Sequence, residues 1–415
     1  MTRTTMLETL KERGFVEAIT EEDKLAAALE KPITCYVGYD PTATSLHAGN
    51  LVTIMALAHM QRAGHRVVVL IGGGTGMIGD PSGKTEMRKV LGREEIDANA
   101  AAIKKQFQPF LTLDGKAGVM VNNADWLLPI GYLEFLRDVG RHFSVNRMLA
   151  AEAYRTRYDS GEGLNFIEFN YMLLQAYDFL HLFRAEKCLL QMGGSDQWGN
   201  IIAGTDLIRR VTGGEAYGIT FPLIMTSAGV KMGKTAAGAI WLDAQRLKPY
   251  DYYQFWVNTA DADVGRFLSL FTFLPIDEVR RLAALQGAEI REAKKVLAWE
   301  ATKLCHGEKA ADEARSAALA LFSPGAPAGA ALENVPTTEI PRARLAEGLR
   351  LVDVLAEVGL ASSKSDARRK VEQGGAYVND AAADSIERAL TEADFPGGQC
   401  LLRSGKKKYH RLQLR

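Results

Sequence analysis

Residues 34–39 read TCYVGY, apolar at nearly every position, and the run stops at Asp40-Pro41. A short continuous apolar run closed by turn residues predicts a strand buried on both faces. GNLVTIMALAHMQRAGH (49–65) then predicts an apolar helix closed at Gly64, and RVVVLIG (66–72) a second strand. Strand, helix and strand with short joints form a βαβ unit, which implies parallel strands and a right-handed crossover. GVMVNN (118–123), KCLLQMGG (187–194) and GITFPLIM (218–225) are further strand candidates separated by helical stretches. Alternation of this kind from about residue 30 to 225 predicts a Rossmann-like, doubly wound α/β domain.

The pattern changes at Pro249. Residues 249–287 and 292–307 carry helical periodicity without intervening strands. SPGAPAGAALENVPTTEIPRAR (323–344) is rich in Pro, Ala and Gly and reads as a linker. Beyond it, residues 349–383 open a small module of helices followed by a GAYVND strand and turn. The expected division is therefore 1–230 for the α/β domain and 231–248 for a loop and connection. A helical domain follows at 249–322, a linker at 323–347 and a small α+β domain at 348–415. No repeat of solenoid period is visible.

Composition refines this little. Lys+Arg and Asp+Glu are both 50, so overall charge points to no acidic or basic partner, but the last ten residues, KKKYHRLQLR, concentrate cations. Cys35, Cys188, Cys305 and Cys400 lie far apart with no C-x-x-C pair, which argues against disulfides or a zinc site and fits a reducing cytosol. The first twenty residues read as a short amphipathic helix rather than a signal peptide, and no apolar run reaches membrane-spanning length. A soluble, cytoplasmic protein without membrane association is expected.

Residues 67–85, VVVLIGGGTGMIGDPSGKT, advertise two phosphate-binding motifs. Gly74, Gly76 and Gly79 spell G-x-G-x-x-G, but Asp80-Pro81-Ser82-Gly83 breaks a helix where a dinucleotide site needs one to begin. Gly83-Lys84-Thr85 resembles the end of a Walker loop, yet only three residues separate Gly79 from Gly83 where four are required. Neither motif holds, although a glycine-rich loop at a strand's carboxyl end suits a ligand.

Two other loops carry chemistry. In DPTATSLHAGN (40–50), His47, Gly49 and Asn50 stand at a helix start, where free amides favour anions, although a lone histidine there is more often a cap. In VKMGKT (230–235), two lysines flank a glycine and form a cationic arm suited to phosphates, against the blander reading of a solvated loop. Along the apolar helix NYMLLQAYDFLHL, Tyr171, Gln175 and Asp178 fall at i, i+4 and i+7 on one face. Polar groups there need partners, supplied either by a core hydrogen-bond network or by a ligand.

H-A-G-N and K-M-G-K-T, in this order after an early and a late strand, resemble the two signatures of class I aminoacyl-tRNA synthetases. YDPTATSLHAGN, GDPSGKTEMR, NFIEFNYMLLQAYDFLHL and LQMGGSDQWGN together resemble the bacterial tyrosyl-tRNA synthetases, over essentially the whole chain. The resemblance implies a tyrosine-specific ligase that uses ATP with Mg2+ as substrate, charges tRNA(Tyr), has no prosthetic group or metal-ligand set, and works as a homodimer.

It also implies roles for residues. Tyr36 and Asp178 would hold the substrate's phenolic hydroxyl, Tyr171, Gln175 and Asp80 its ammonium, with Gln191 and Asn123 in support. Such a paired site rejects phenylalanine by leaving its own polar groups unpartnered, and this family is itself the familiar illustration of that rule. Gly38, Asp40, Gly194, Asp196 and Gln197 would meet the nucleotide, Asp196 at the ribose hydroxyls, with Gly49 and Thr53 close by. Thr42, His47 and Asn50 would face the phosphates, while Lys84, Arg88, Lys231, Lys234 and Thr235 would clamp departing pyrophosphate. Asn50 and Gly233 replace the usual signature histidine and serine, and Gly233 is expected to loosen the lysine loop. Arg209 and Arg210 would meet the tRNA acceptor arm. Lys364, Arg368, Arg369 and Lys370, with Lys406, Lys407 and Lys408, would meet RNA from a module resembling one in a ribosomal protein. The rivals are a tryptophanyl enzyme, disfavoured by Tyr36 and Asp178, and a catalytically retired RNA-binding scaffold, disfavoured by intact nucleotide loops.

Overall fold

All five expected parallel strands form. In the computed structural model, which describes residues 5–82, 91–159, 164–227, 229, 232–235, 238–322, 336–346, 348–405 and 408–415, they are β2 (Thr34–Tyr39), β3 (Arg66–Ile71), β4 (Gly118–Asn122), β5 (Cys188–Gly194) and β6 (Tyr217–Phe221). A two-residue strand, β1 (Ala18–Ile19), adds antiparallel to the edge, giving the order β1-β6-β5-β2-β3-β4. The N-terminal stretch had shown only helical periodicity, and two residues are too few to carry an alternating signal. β6 ends at Phe221 because Pro222 has no N–H to continue the ladder.

Strand order reverses between β2, which continues to β3, and β5, which continues to β6. Ligands in open parallel sheets bind beyond the carboxyl ends at such a reversal. Val67, Val68 and Val69 of β3 are wholly buried, as expected of a strand covered on both faces.

The chain divides into two compact units, Met1–Ala311 and Asp312–Arg415. In the first, the helices Pro249–Val257, Asp261–Phe271, Ile276–Ala283 and Ile290–His306 pack around Trp256, Phe267 and Phe271. The buried guanidinium of Arg13 donates to the carbonyls of Ser269 and Thr272, both at 3.0 Å, and to that of Leu274. Carbonyls at a helix C-terminus lack intrahelical partners, so Arg13 supplies a cap to the helix Asp261–Phe271.

In the second unit a sheet of order β11-β10-β12-β13-β9 is built from β9 (Thr337–Ile340), β10 (Ala376–Val378), β11 (Ala381–Ala382), β12 (Gln399–Ser404) and β13 (Lys408–Leu414). Leu351, Val354, Leu402 and Leu412 form its fully buried centre beneath the helices Leu351–Glu357 and Lys364–Glu372. β9 falls within the stretch expected as a linker. Its Thr338 and Ile340 register opposite Leu412 and Leu414 of β13, a pairing too distant along the chain for local composition to signal. No helix among the described residues is long and apolar enough to cross a membrane.

Candidate active site

A cavity of about 410 Å³ opens at the strand-order reversal. Tyr36, Gly38, Asp40, Thr42, His47, Gly49, Asn50, Thr53, Asp80, Asn123, Tyr171, Gln175, Asp178, Gln191, Gly194, Asp196 and Gln197 all line it. Every expected tyrosine- or nucleotide-site residue whose side chain is described therefore meets in one place. Lys84, Arg88 and Lys231 lie outside the described residues, and Lys234 and Thr235 are described only as backbone, in the hairpin of β7 (Lys234–Thr235) and β8 (Gly238–Ala239).

The floor is polar and deeply buried. The helix Phe166–Glu186 starts at an Asn165–Glu168 capping box, which sets the phase that turns Tyr171, Gln175 and Asp178 inward. Asp178 Oδ1 accepts from Trp126 Nε1 at 2.7 Å and Oδ2 from Asn123 Nδ2 at 2.9 Å. Burial pushes its carboxyl up to about 7, against the lowering effect of the bonds from Asn123 and Trp126. Beside it, the Tyr36 hydroxyl is buried with no hydrogen-bond partner among the described residues, and so is Gln191 Oε1.

Asp40, expected at the nucleotide, is held within the cavity by two neighbours: Tyr171 Oη donates to its Oδ2 at 2.8 Å and Thr75 Oγ1 to its Oδ1 at 2.7 Å. Its carboxylate rests where a Cβ on Gly72 would stand, so the glycine-rich loop after β3 first makes room for a side chain. Asp80, on the same loop, accepts from Gln197 Nε2 at 2.7 Å and from the Ser82 amide at 2.8 Å. Asn200 Nδ2 lies 3.1 Å from Gln175 Oε1 and 3.2 Å from Gln197 Oε1. A Cβ on Gly194 would come 2.6 Å from Asp196 Oδ1, so a side chain there would displace that carboxylate.

At the other end, His47 caps the turn Ala48–Asn50: its Nδ1 accepts from the Gly49 amide at 3.1 Å, and Asn50 Oδ1 accepts from the His47 amide at 3.0 Å. An Nδ1 that accepts leaves the proton of a neutral imidazole on Nε2 as a donor. The capping role and a role at an anion are thus compatible. The lysine hairpin docks here. The Ala48 amide donates to Ile240 O at 2.8 Å, the Leu242 amide to Leu46 O at 2.9 Å, and the Ile240 amide to Gly233 O at 2.9 Å. Gly233 has φ 83°, and a Cβ on it would meet the Gly49 amide nitrogen at 2.6 Å. A Cβ on Gly49 would meet Met232 O at 2.8 Å. Gly233 therefore answers a close backbone approach, a reason distinct from the loosening expected of it.

Three contributors escaped the sequence reading: Thr75, Trp126 and Asn200. Thr75 carried a signal, being a lone hydroxyl residue amid glycines at a strand end. Trp126 carried none, because its role exists only once β4 and the helix Phe166–Glu186 are side by side.

The expected RNA contacts lie elsewhere. Arg210 lines a second cavity of about 290 Å³ with Arg147, Met172 and Trp198, while Arg209 donates to Asp206 at 2.7 Å. In the second unit, Lys364 pairs with Asp353 at 2.8 Å and Arg369 with Asp366 at 2.8 Å, leaving both cations exposed. Backbone and side-chain donation from Ser362, together with Lys370 and Arg369, holds the Asp366 carboxyl well below its usual range. The Gly405 amide donates to Gly375 O at 2.6 Å, tying the turn between β12 and β13 to the turn after the basic helix Lys364–Glu372. Lys408 is exposed beside that tie, and Lys406 and Lys407 lie outside the described residues.

Comparison with known proteins places this geometry. The family profile for class I tRNA synthetases (W and Y) matches residues 28–323, and that for a tyrosine–tRNA ligase SYY-like C-terminal domain matches residues 329–412. The chain is 55% identical to a tyrosine–tRNA ligase of Desulfatibacillum aliphaticivorans, covering 99% of this chain and 98% of the relative. It is 54% identical to one of Caldanaerobacter subterraneus subsp. tengcongensis, covering 98% of each. Among solved structures, the C-terminally truncated mitochondrial tyrosyl-tRNA synthetase of Aspergillus nidulans superposes with a TM-score of 0.70 at 32% identity, covering 77% of this chain and 95% of that one. A tryptophanyl-tRNA synthetase of Encephalitozoon cuniculi shares the fold alone, at 16% identity and a TM-score of 0.56.

Proposed function

From the premise that this chain belongs to the tyrosine–tRNA ligases of the class I synthetases, we propose that its cavity binds tyrosine with the phenol at the Tyr36–Asp178 floor and the adenylate toward His47 and Asp196. The enzyme activates L-tyrosine with ATP and then transfers the tyrosyl group to the 3′ end of tRNA(Tyr). The observation that carries the pocket assignment is the buried Tyr36 hydroxyl beside Asp178, which has no partner among the described residues. A buried hydroxyl without a partner is costly, and a phenol that accepts from Tyr36 and donates to Asp178 satisfies both groups at once. Tyr171, Gln175 and Asp80 surround the position of the ammonium.

In the first step the tyrosine carboxylate oxygen forms a bond to the α-phosphorus of ATP as the bond to the pyrophosphate oxygen breaks. In the second, a ribose hydroxyl at the tRNA terminus attacks the adenylate carbonyl and AMP leaves. The protein's part is placement and charge stabilisation, since the first step needs no proton from a side chain. His47 Nε2 and the lysines of the K-M-G-K-T hairpin would meet the phosphates as negative charge moves onto pyrophosphate. Mg2+ would accompany ATP, held largely through its phosphates. Lys234→Ala is expected to slow single-turnover adenylate formation about 100-fold while leaving tyrosine affinity within about twofold, because such contacts act mainly in the transition state. An unchanged single-turnover rate would sink the role of Lys234.

The dimer rests on exposed apolar side chains. Tyr132, Leu133, Val145, Tyr158 and Phe166 are 57–78% exposed on the helices that connect β4 to β5. Such residues mark an interface when they recur on one stretch of a soluble chain. Leu133→Arg is expected to weaken self-association at least about tenfold in analytical ultracentrifugation. A wild-type chain that sediments as a monomer at micromolar concentration would remove this reading. Arg209, Arg210, Trp198 and the basic second unit are assigned to tRNA, and the cytoplasm is the compartment where that substrate is met.

A further inference from the structure

We propose that Thr75 is a positioning residue for recognition of the phenol hydroxyl, acting through Asn123 on Asp178. This rests on the assignment of the Tyr36–Asp178 floor to the phenol. Thr75 stands just beyond the carboxyl end of β3 and is almost wholly buried, as is Asn123 on the loop after β4. Asn123 Nδ2 donates to Thr75 Oγ1 at 2.9 Å and to Asp178 Oδ2 at 2.9 Å, while its Oδ1 accepts from the Gly74 amide at 2.7 Å. Thr75 Oγ1 in turn donates to Asp40 Oδ1 at 2.7 Å.

Counting hydrogens gives this chain of bonds one direction. The Asn123 amide has two N–H groups, and each goes to one partner; its oxygen faces a backbone N–H, so the amide cannot be turned over without opposing donor to donor. The Thr75 hydroxyl has one hydrogen. With its oxygen already accepting from Asn123, that hydrogen goes to the Asp40 carboxylate, which has none to give. Among the described residues Thr75 is thus the group that satisfies the second Asn123 hydrogen, and by doing so it holds the first on Asp178. The same hydroxyl holds Asp40, whose other oxygen accepts from Tyr171 at 2.8 Å. One side chain therefore joins the phenol end of the pocket to the ammonium end.

The two arms predict separable effects. Loosening Asp40 and Tyr171 harms any amino acid with an ammonium group, so tyrosine and phenylalanine suffer alike. Loosening Asn123 and Asp178 harms only a substrate with a hydroxyl, because phenylalanine presents nothing to Asp178.

The test is amino-acid-dependent pyrophosphate exchange into ATP with the full-length chain, comparing kcat/KM for tyrosine and for phenylalanine. Thr75→Val keeps the shape and removes the hydroxyl. It is expected to lower the tyrosine-to-phenylalanine ratio about tenfold, as follows from leaving one buried amide hydrogen unpartnered, and Thr75→Ser should restore the ratio. Should Thr75→Val fail to fold, Thr75→Ala carries the same expectation. An unchanged ratio, with both substrates reduced in parallel, overturns the proposal and leaves Thr75 a scaffold residue. Tyr36→Phe is measured alongside. If Tyr36→Phe lowers the ratio and Thr75→Val does not, the positioning role alone fails; if neither does, the floor assignment fails.

Discussion

Asp178→Asn is expected to lower kcat/KM for tyrosine about 100-fold or more, because removing one partner of a buried, hydrogen-bonded charge costs several kcal/mol. The geometry makes asparagine a poor substitute despite its shape. Both carboxylate oxygens already accept an N–H, one from Trp126 and one from Asn123. An amide has a single oxygen, so its NH2 must face one of those donors, and the phenol is left with a shared, uncharged acceptor in place of a carboxylate. Activation of phenylalanine should change far less, and equal losses for the two substrates would count against the assignment.

The same carboxyl gives the wild-type enzyme a pH dependence of definite sign. Its folded value, raised by burial to about 7, lies well above that of an ordinary aspartate. Its contribution to stability is therefore fully present below the unfolded value and is lost as pH rises through about 7. Tyrosine binding runs the other way, since a phenol donates to the ionised form. Tyrosine affinity should weaken from about pH 7 downward, by at most tenfold per pH unit, and Asp178→Asn should abolish that slope. Isothermal titration across this range checks both signs, and a flat profile in the wild type removes the proposed linkage.

Gly233→Ala is expected to slow adenylate formation by about 100-fold with little change in tyrosine affinity. Two penalties act together. At φ 83° an alanine meets left-handed strain of roughly 1–2 kcal/mol, and its Cβ would stand 2.6 Å from the Gly49 amide nitrogen. Backbone cannot swing away as a side chain tip can, so the hairpin must lift from the H-A-G-N turn and take its lysines with it. Losing preorganised donors at developing charge typically costs 10² to 10³ in rate, the origin of the estimate. Stopped-flow measurement of adenylate formation at saturating tyrosine tests it; a rate near that of wild type would mean that the docked hairpin is not the working one.

How much of this was legible in the sequence follows from the range of the forces involved. The parallel strands were plain because burial on both faces writes itself into consecutive residues, as in the three valines of β3. The inward row on the helix Phe166–Glu186 was plain because helical periodicity is local. β9 was hidden, since its partner β13 lies some seventy residues away and its own four residues, TTEI, show no apolar run. The bond from Tyr171 to Asp40 was hidden for a related reason: the loop of Asp40 was placed correctly at a strand end, but its partner stands on a helix far along the chain. Gly233 was identified as unusual and expected to loosen its loop; the close approach of the Gly49 amide is a second reason for it that was not legible, because a glycine required by a neighbouring backbone looks the same in sequence as one required for freedom.

The buried chain from Trp126 to Tyr171 has a consequence for which molecules the cavity admits. Trp126, Asn123, Thr75 and Tyr171 all point their hydrogens at the two carboxylates, Asp178 and Asp40. The deep end of the cavity is therefore rich in electron pairs and poor in donors, and the Tyr36 hydroxyl there still lacks an acceptor among the described residues. An aryl ether of the same length would take the Tyr36 hydrogen but set a methyl group against a carboxylate, and a phenolate would set charge against charge. Selection at this floor is thus a reading of whether the incoming ring brings a hydrogen of its own, and analogues meant to occupy it should be ranked first as donors and only then by size.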